Sequence, residues 1–144
     1  MDICAYVKQI IEKHKTNNPF EIAKEKNIIV IFEKLAKIRG YYEYNKRCKY
    51  IHINEDLPSE EQHLVCAHEL GHALLHPKVN IIFITSNTLF VKNKFEIEAN
   101  KFAAELLIQD DLLHNYEGLS IEQIAVAENL NMELLKLKFD LGCF

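Results

Sequence analysis

The sequence predicts an α+β fold: one mostly helical domain over residues 1–144, with a small sheet of about three strands. Three observations predict it. Apolar residues recur at helical spacing, at Ile3, Tyr6, Val7, Ile10 and Ile11 early and at Phe95, Ala99, Phe102, Ala103 and Leu106 later. Short apolar or alternating runs rich in Ile, Val, Tyr and Phe cluster over residues 28–54. A length of 144 residues suits one domain with its own core. The 49% apolar and 26% charged residues are ordinary for a globular chain, and the net charge of -4 argues against a nucleic-acid-binding protein.

The elements follow in order. Residues 3–14 carry the first helical pattern. In NNPFEIAKEKN, Asn18 can cap, Pro19 suits the first helical position and Glu21 completes a capping box, so a short helix is expected over 19–26. IIVIF (28–32) reads as a buried strand. GYYEYN (40–45) and KYIHIN (49–54) alternate across a short polar stretch, which predicts a hairpin. Ser59 offers an N-cap with Gln62 three residues on, and its helix is expected to stop near Pro77. NIIFIT (80–85) reads either as a strand or as part of a lid-like loop. From Asn93, KFEIEANKFAAELLIQ is rich in strong helix formers. A short segment from Asp110 ends near Gly118; Ser120 then caps IEQIAVAEN, and Asn131 caps MELLKLKFDLG with Gly142 as the stop.

The four cysteines, Cys4, Cys48, Cys66 and Cys143, form no C-x-x-C pair, so free thiols in a reducing compartment are expected. The N-terminal stretch lacks the pattern of a signal peptide, and no stretch approaches the ~20 apolar residues of a membrane span. A cytoplasmic protein without a membrane partner is expected.

The stretch HLVCAHELGHALLH (63–76) carries the chemistry. His68 and His72 are four apart on a helix, so their rings leave one face a turn apart and can grip one Zn²⁺. Glu69 projects at an angle to the pair and can take a proton from water without ligating the metal. The residues around the motif are apolar, and three polar groups in such a helix are costly if buried without partners. A metal supplies that partner.

A catalytic zinc takes three protein ligands. His76 is the near candidate, but two helical turns put it about 12 Å from His68 along the axis, too far for one ion. It is expected to satisfy carbonyls at the helix end or to line the cleft. In FEIEANKFAAEL, Glu96 and Asn100 share a face, one placed to ligate and the other to accept the second ring proton of a bound histidine. Glu98 lies about 200° around from Glu96 and reads as solvent-facing. Glu96 is therefore favoured as third ligand, with Glu98 the alternative, and Glu105 reads as a surface residue. His63, His76 and a tyrosine among Tyr41, Tyr42 and Tyr44 are candidate oxyanion donors.

HELGHALLH followed by E-x-E-A-N-K-F-A-A-E-L-L resembles the ImmA/IrrE family of zinc metallopeptidases, an HExxH, gluzincin-like group. The likeness extends to NPFEIAKEKNI, the G-Y-Y…I-H-I-N hairpin and LSIEQIAVAENLNMELLKLKFDLG. It implies a zincin-like active-site helix, one Zn²⁺ on His68, His72 and the family's glutamate, and Glu69 as catalytic base. It also implies a protein substrate, a helix-turn-helix repressor, cut to release a mobile element, a prophage or a stress response. Where the family has Met-Pro after A-A-x-L-L, this chain has Ile108-Gln109, and it lacks the added C-terminal regions of larger members, so no sensory function is expected there. The last two helices outline a helix-turn-helix, but Glu133 and Asp140 beside Lys136 and Lys138 make a weak DNA reader. A monomer is expected, with no direct nucleic-acid contact. The alternative reading is a zinc-bound module that sequesters a repressor without cutting it.

Overall fold

The computed structural model describes residues 2–79 and 94–139. The NIIFIT segment, Gly142 and Cys143 lie outside the described residues. Helix α1 spans Ile3–His14, with the Asp2 carboxylate accepting from the Ala5 amide, and ends where Lys15 turns left-handed (φ 59°). Helix α2 spans Pro19–Glu25, capped by Asn18 Oδ1 on the Phe20 amide at 2.9 Å. Only half of the expected capping box forms, because Glu21 meets the Asn18 side-chain amide at 3.5 Å instead.

Strands β1 (Ile29–Glu33), β2 (Gly40–Asn45) and β3 (Cys48–Asn54) form one sheet in the order β1-β3-β2. The predicted hairpin is β2–β3, closed by Lys46 and Arg47, both at positive φ (51° and 66°). β1 runs parallel to β3 and is an edge strand. It was expected to be buried, yet Ile29 and Phe32 are each 47% exposed. An unbroken apolar run reads as covered on both faces, but at a sheet edge neither face is fully layered. Tyr42, Ile51 and Ile53 point inward and are fully buried. On the opposite face, the buried His52 ring meets Glu33 at 2.7 Å and Glu43 at 2.8 Å and stacks on Tyr41, tying the three strands together.

Helix α3 spans Ser59–Leu75. The expected Ser59 cap is not used: Ser59 is already helical, Pro58 takes the cap position, and the Gln62 side chain donates to the Glu55 carbonyl at 3.3 Å. The cause is the extended Pro58 backbone (ψ 158°), whose carbonyl accepts the Gln62 amide at 2.9 Å and starts the helix one residue earlier. Helix α4 spans Lys94–Leu107 and packs along α3. A 3-10 turn (Leu112–Tyr116), α5 (Ile121–Glu128) and α6 (Met132–Phe139) follow. Ser120 and Gln123 form the full capping box of α5, and Asn131 Oδ1 accepts the Glu133 amide at 2.7 Å.

Two cores result. One lies between α1, α2, the sheet, α3 and α4; the other lies between α4, α5 and α6. Because α6 folds back over α4, Glu105 is not the expected surface residue. It is 6% exposed and meets Lys138 at 2.8 Å and Lys101 at 3.1 Å. Lys101 also donates to the Leu137 carbonyl, so α4 and α6 are joined at several points.

Two glycines set the distances around α3. A Cβ on Gly71 would lie 3.1 Å from the Phe102 Cβ and 3.3 Å from the Ala99 Cα, so α4 approaches α3 at the turn that bears His68 and His72. A Cβ on Gly40 would lie 2.5 Å from the Val65 side chain and 2.6 Å from the His52 carbonyl oxygen. The start of β2 is thereby pressed onto α3, one turn ahead of His68. Gly40→Ala is expected to lower stability by about 1–3 kcal/mol through overpacking against backbone. Urea melts check this, and an unchanged midpoint would show that β2 can retreat freely.

Candidate active site

The expected pair lies on one face of α3. His68 Nε2 and His72 Nε2 are 3.2 Å apart. Glu96, in the first turn of α4, brings one carboxylate oxygen 3.1 Å from His68 Nε2 and the other 3.0 Å from His72 Nε2. Ligand atoms held about 2.0–2.1 Å from a tetrahedral ion lie about 3.3 Å from one another. The three groups thus already stand at the spacing one small cation requires. His68, Glu69 and His72 also bring ligand-type atoms within 4.8 Å of each other. Glu69 is buried, and its Oε1 has no protein hydrogen-bond partner. A buried carboxylate oxygen in that condition is costly unless water or a cation serves it. The donor set of two imidazoles and a carboxylate suits zinc.

The Asn100 side chain is where the spacing placed it: its Oδ1 accepts from His68 Nδ1 at 2.9 Å. With that nitrogen carrying the proton, Nε2 of the neutral ring is free to ligate. A cavity of about 560 Å³ opens over His68, Glu69 and Glu96. Gly40 and Tyr41 of β2 form one wall, and Leu134 and Leu137 of α6 form the other. Asn54 builds part of the first wall from below, donating to the carbonyls of Ala36 and Ile38 at 3.1 and 3.0 Å and so holding the loop that leads into Gly40.

Residues 23–138 match the sequence model of the IrrE N-terminal-like domain, a peptidase family. The chain is 46% identical over 139 residues to "Uncharacterized immunity region protein 2" of Bacillus phage phi105, covering 94% of this chain and 88% of that protein. It is 35% identical over 130 residues to "Metallopeptidase ImmA" of Bacillus subtilis (strain 168), covering 86% of this chain and 76% of that protein. The chain belongs to the ImmA/IrrE family of metallopeptidases.

In this ImmA/IrrE metallopeptidase, electrostatics divides the carboxylates. Burial pushes the Glu69 carboxyl up to about 7, with nearby Glu96 adding to the rise and His68 opposing it. Burial also works against the Glu96 carboxylate, but its bonds to His68 and His72 outweigh this and hold it far below the usual range. Burial lowers the pKa of His72. At His68 burial is outweighed by Glu96 and Glu69, and the pKa rises. One carboxylate is thus kept as an anion among imidazoles, and burial makes its neighbour hold a proton more tightly.

The structure departs from expectation at the flanking residues. His63 lies against Phe20 of α2, ring to ring at 5.1 Å, and does not line the cavity. Tyr42 is buried, its hydroxyl donating to the Pro77 carbonyl; of the three tyrosines only Tyr41 lines the cleft. His76 does not line the cleft, and it meets the cluster through His72. Its Nδ1 is 3.2 Å from His72 Nδ1, and its Nε2 is 2.9 Å from Glu98 Oε1. Glu98 therefore does not stand free in solvent. The angle of about 200° from Glu96 turns Glu98 away from the ligand cluster, but His76, the cap residue at the end of α3, stands where Glu98 reaches it. The signal that could have found this pair is His76 itself, four residues after His72 and therefore above it on the same face.

Proposed function

We propose that this metallopeptidase is a zinc-dependent endopeptidase in which His68, His72 and Glu96 hold one Zn²⁺ and Glu69 is the general base. One observation carries the reading: three ligand-type groups with atoms 3.0–3.2 Å apart, beside a buried glutamate with an oxygen that has no protein hydrogen-bond partner. A bound zinc ion supplies Lewis acidity toward the amide carbonyl and makes water more acidic. Glu69 takes a proton from the attacking water and passes it to the leaving amine nitrogen, which breaks the peptide bond. Tyr41, the one candidate tyrosine that lines the cleft, is taken as the donor to the carbonyl oxygen.

The substrate is a polypeptide laid along the cleft between β2 and α6. Among the described residues β2 has β3 on one side only, and its other edge is taken to pair with an extended chain. Leu64, Leu134 and Leu137 line the far side of the cavity and suit apolar side chains. We take the substrate to be a helix-turn-helix repressor, a reading supported by the family resemblance and by similarity to a phage protein named for an immunity region. The reading further takes residues 1–144 as one metallopeptidase domain, a cytoplasmic monomer that binds no nucleic acid itself. No helix among the described residues is long and apolar enough to cross a membrane.

The test is co-expression with a repressor encoded beside the gene, comparing wild type with Glu69→Gln. Cleavage by wild type alone supports the mechanism. Cleavage by both forms sinks it. A stable complex with no cut by either form would favour sequestration.

A further inference from the structure

We propose that His76 and Glu98 form a hydrogen-bonded chain that orients His72 and fixes which of its ring nitrogens faces the metal cluster. This rests on the reading of His68, His72 and Glu96 as ligands. Both residues act through His72, so they are positioning residues.

The chain can be followed atom by atom. A carboxylate only accepts hydrogen bonds, so the 2.9 Å contact with Glu98 Oε1 makes His76 Nε2 the donor. With one proton on each imidazole, His76 Nδ1 is then an acceptor. The 3.2 Å contact between the two Nδ1 atoms therefore takes its proton from His72. His72 Nε2 lies 3.0 Å from Glu96 Oε1 and 3.2 Å from His68 Nε2; with a cation there in place of a proton, the His76–Glu98 chain leaves Nε2 the lone pair a ligand requires.

The surroundings hold this arrangement rigidly. His72 is fully buried and His76 nearly so, at 7% exposure, so neither ring has free access to water as a substitute partner. The His76 amide donates to the His72 carbonyl at 2.8 Å, and its ring meets the edge of Phe95 at 4.8 Å. The two histidines of the motif are thus served unequally. His68 is oriented by one residue, Asn100, and His72 by two in series. Asn100, Glu98 and Glu96 all come from α4. One helix accordingly delivers the third ligand-type group and the outer end of each orienting contact.

The experiment is zinc affinity by chelator competition on the full chain, for wild type, Glu98→Ala, Glu98→Gln and His76→Phe. Glu98→Ala and His76→Phe are expected to bind zinc about 10–100-fold more weakly. Glu98→Gln is expected to stay within about threefold of wild type, because its amide oxygen can still accept from His76. A purely structural role would not give that rescue. Circular dichroism checks that each variant is folded, and Glu98, with a side chain 31% exposed, can be truncated without opening the core. In the zinc-loaded wild type, proton–nitrogen correlation of the His72 ring should show a protonated Nδ1. Equal zinc affinity in all four proteins, or a protonated Nε2, overturns the inference while leaving the metal site standing. Loss of affinity in Glu98→Gln as large as in Glu98→Ala overturns it too, since charge rather than the accepted hydrogen bond would then matter. A wild-type chain that takes up no zinc overturns both this inference and the proposed function.

Discussion

Replacing Glu69 with glutamine is expected to lower substrate cleavage by about 10²–10⁴-fold while zinc content stays near one per chain. Glutamine keeps the size and the accepting oxygen but cannot take a proton from water. Zinc content and turnover should therefore separate, which neither misfolding nor loss of the metal would produce. The same substitution has a second expected result in the metal-free protein. The folded Glu69 carboxyl is raised from 4.5 to about 7. A carboxyl raised by folding binds its proton more tightly in the folded than in the unfolded chain. Its ionisation therefore costs nothing below pH 4.5, costs progressively more between pH 4.5 and 7, and carries the full cost above that. At about 1.4 kcal/mol per pH unit, the full cost is about 3 kcal/mol. Glutamine carries none of it. Urea melts of the chelated proteins at pH 5 and pH 8 should show Glu69→Gln gaining on wild type as pH rises. Parallel pH dependence of the two would rule out the buried, ionising Glu69 described here.

Replacing Lys138 with methionine is expected to destabilise the fold by about 3 kcal/mol, or about 10 °C in melting temperature. Lys138 has a side chain only 5% exposed, between Glu105 at 2.8 Å and Asp110 at 2.5 Å. Removing it leaves the Glu105 carboxylate, itself 4% exposed, with Lys101 as its remaining cation beside the Cys4 thiol. That is the costly way to break a buried ion pair, and the surviving Lys101 contact keeps the loss toward the lower end of the usual range. Adding Glu105→Leu to the same chain should recover most of the loss, since no carboxylate then remains buried. A double variant no more stable than the single one would show that packing around Lys138, not its charge, holds α6. The functional consequence follows from position. Leu134, Leu137 and Asn131 line the cleft and are not among the groups proposed to hold metal or move a proton, so loosening α6 should raise KM more than it lowers kcat.

Much of the molecule was legible in the chain because it depends on local periodicity. The α+β class, the β2–β3 hairpin, the α5 capping box and the four-residue spacing of His68 and His72 all follow from contacts within a few residues. That Glu96 and Asn100 share one face of their helix was also foreseeable, because they are four apart. What failed locally failed for tertiary reasons. β1 has the composition of a buried strand, but its place at the edge is fixed by β3 inserting between it and β2. Glu105 reads as a surface residue until α6 covers it.

The sequence by itself determined which groups could do chemistry and on which helix faces they stand, since helical geometry converts spacing into direction. Only the tertiary structure decided how far apart those faces are. The close α3–α4 approach at Gly71, the pressing of β2 onto α3 at Gly40 and the contact of Glu98 with His76 are relations between segments distant in the chain. They depend on packing, which no local pattern encodes. They bring Glu96 to His68 and His72, build the cleft wall beside Glu69, and join Glu98 through His76 to His72.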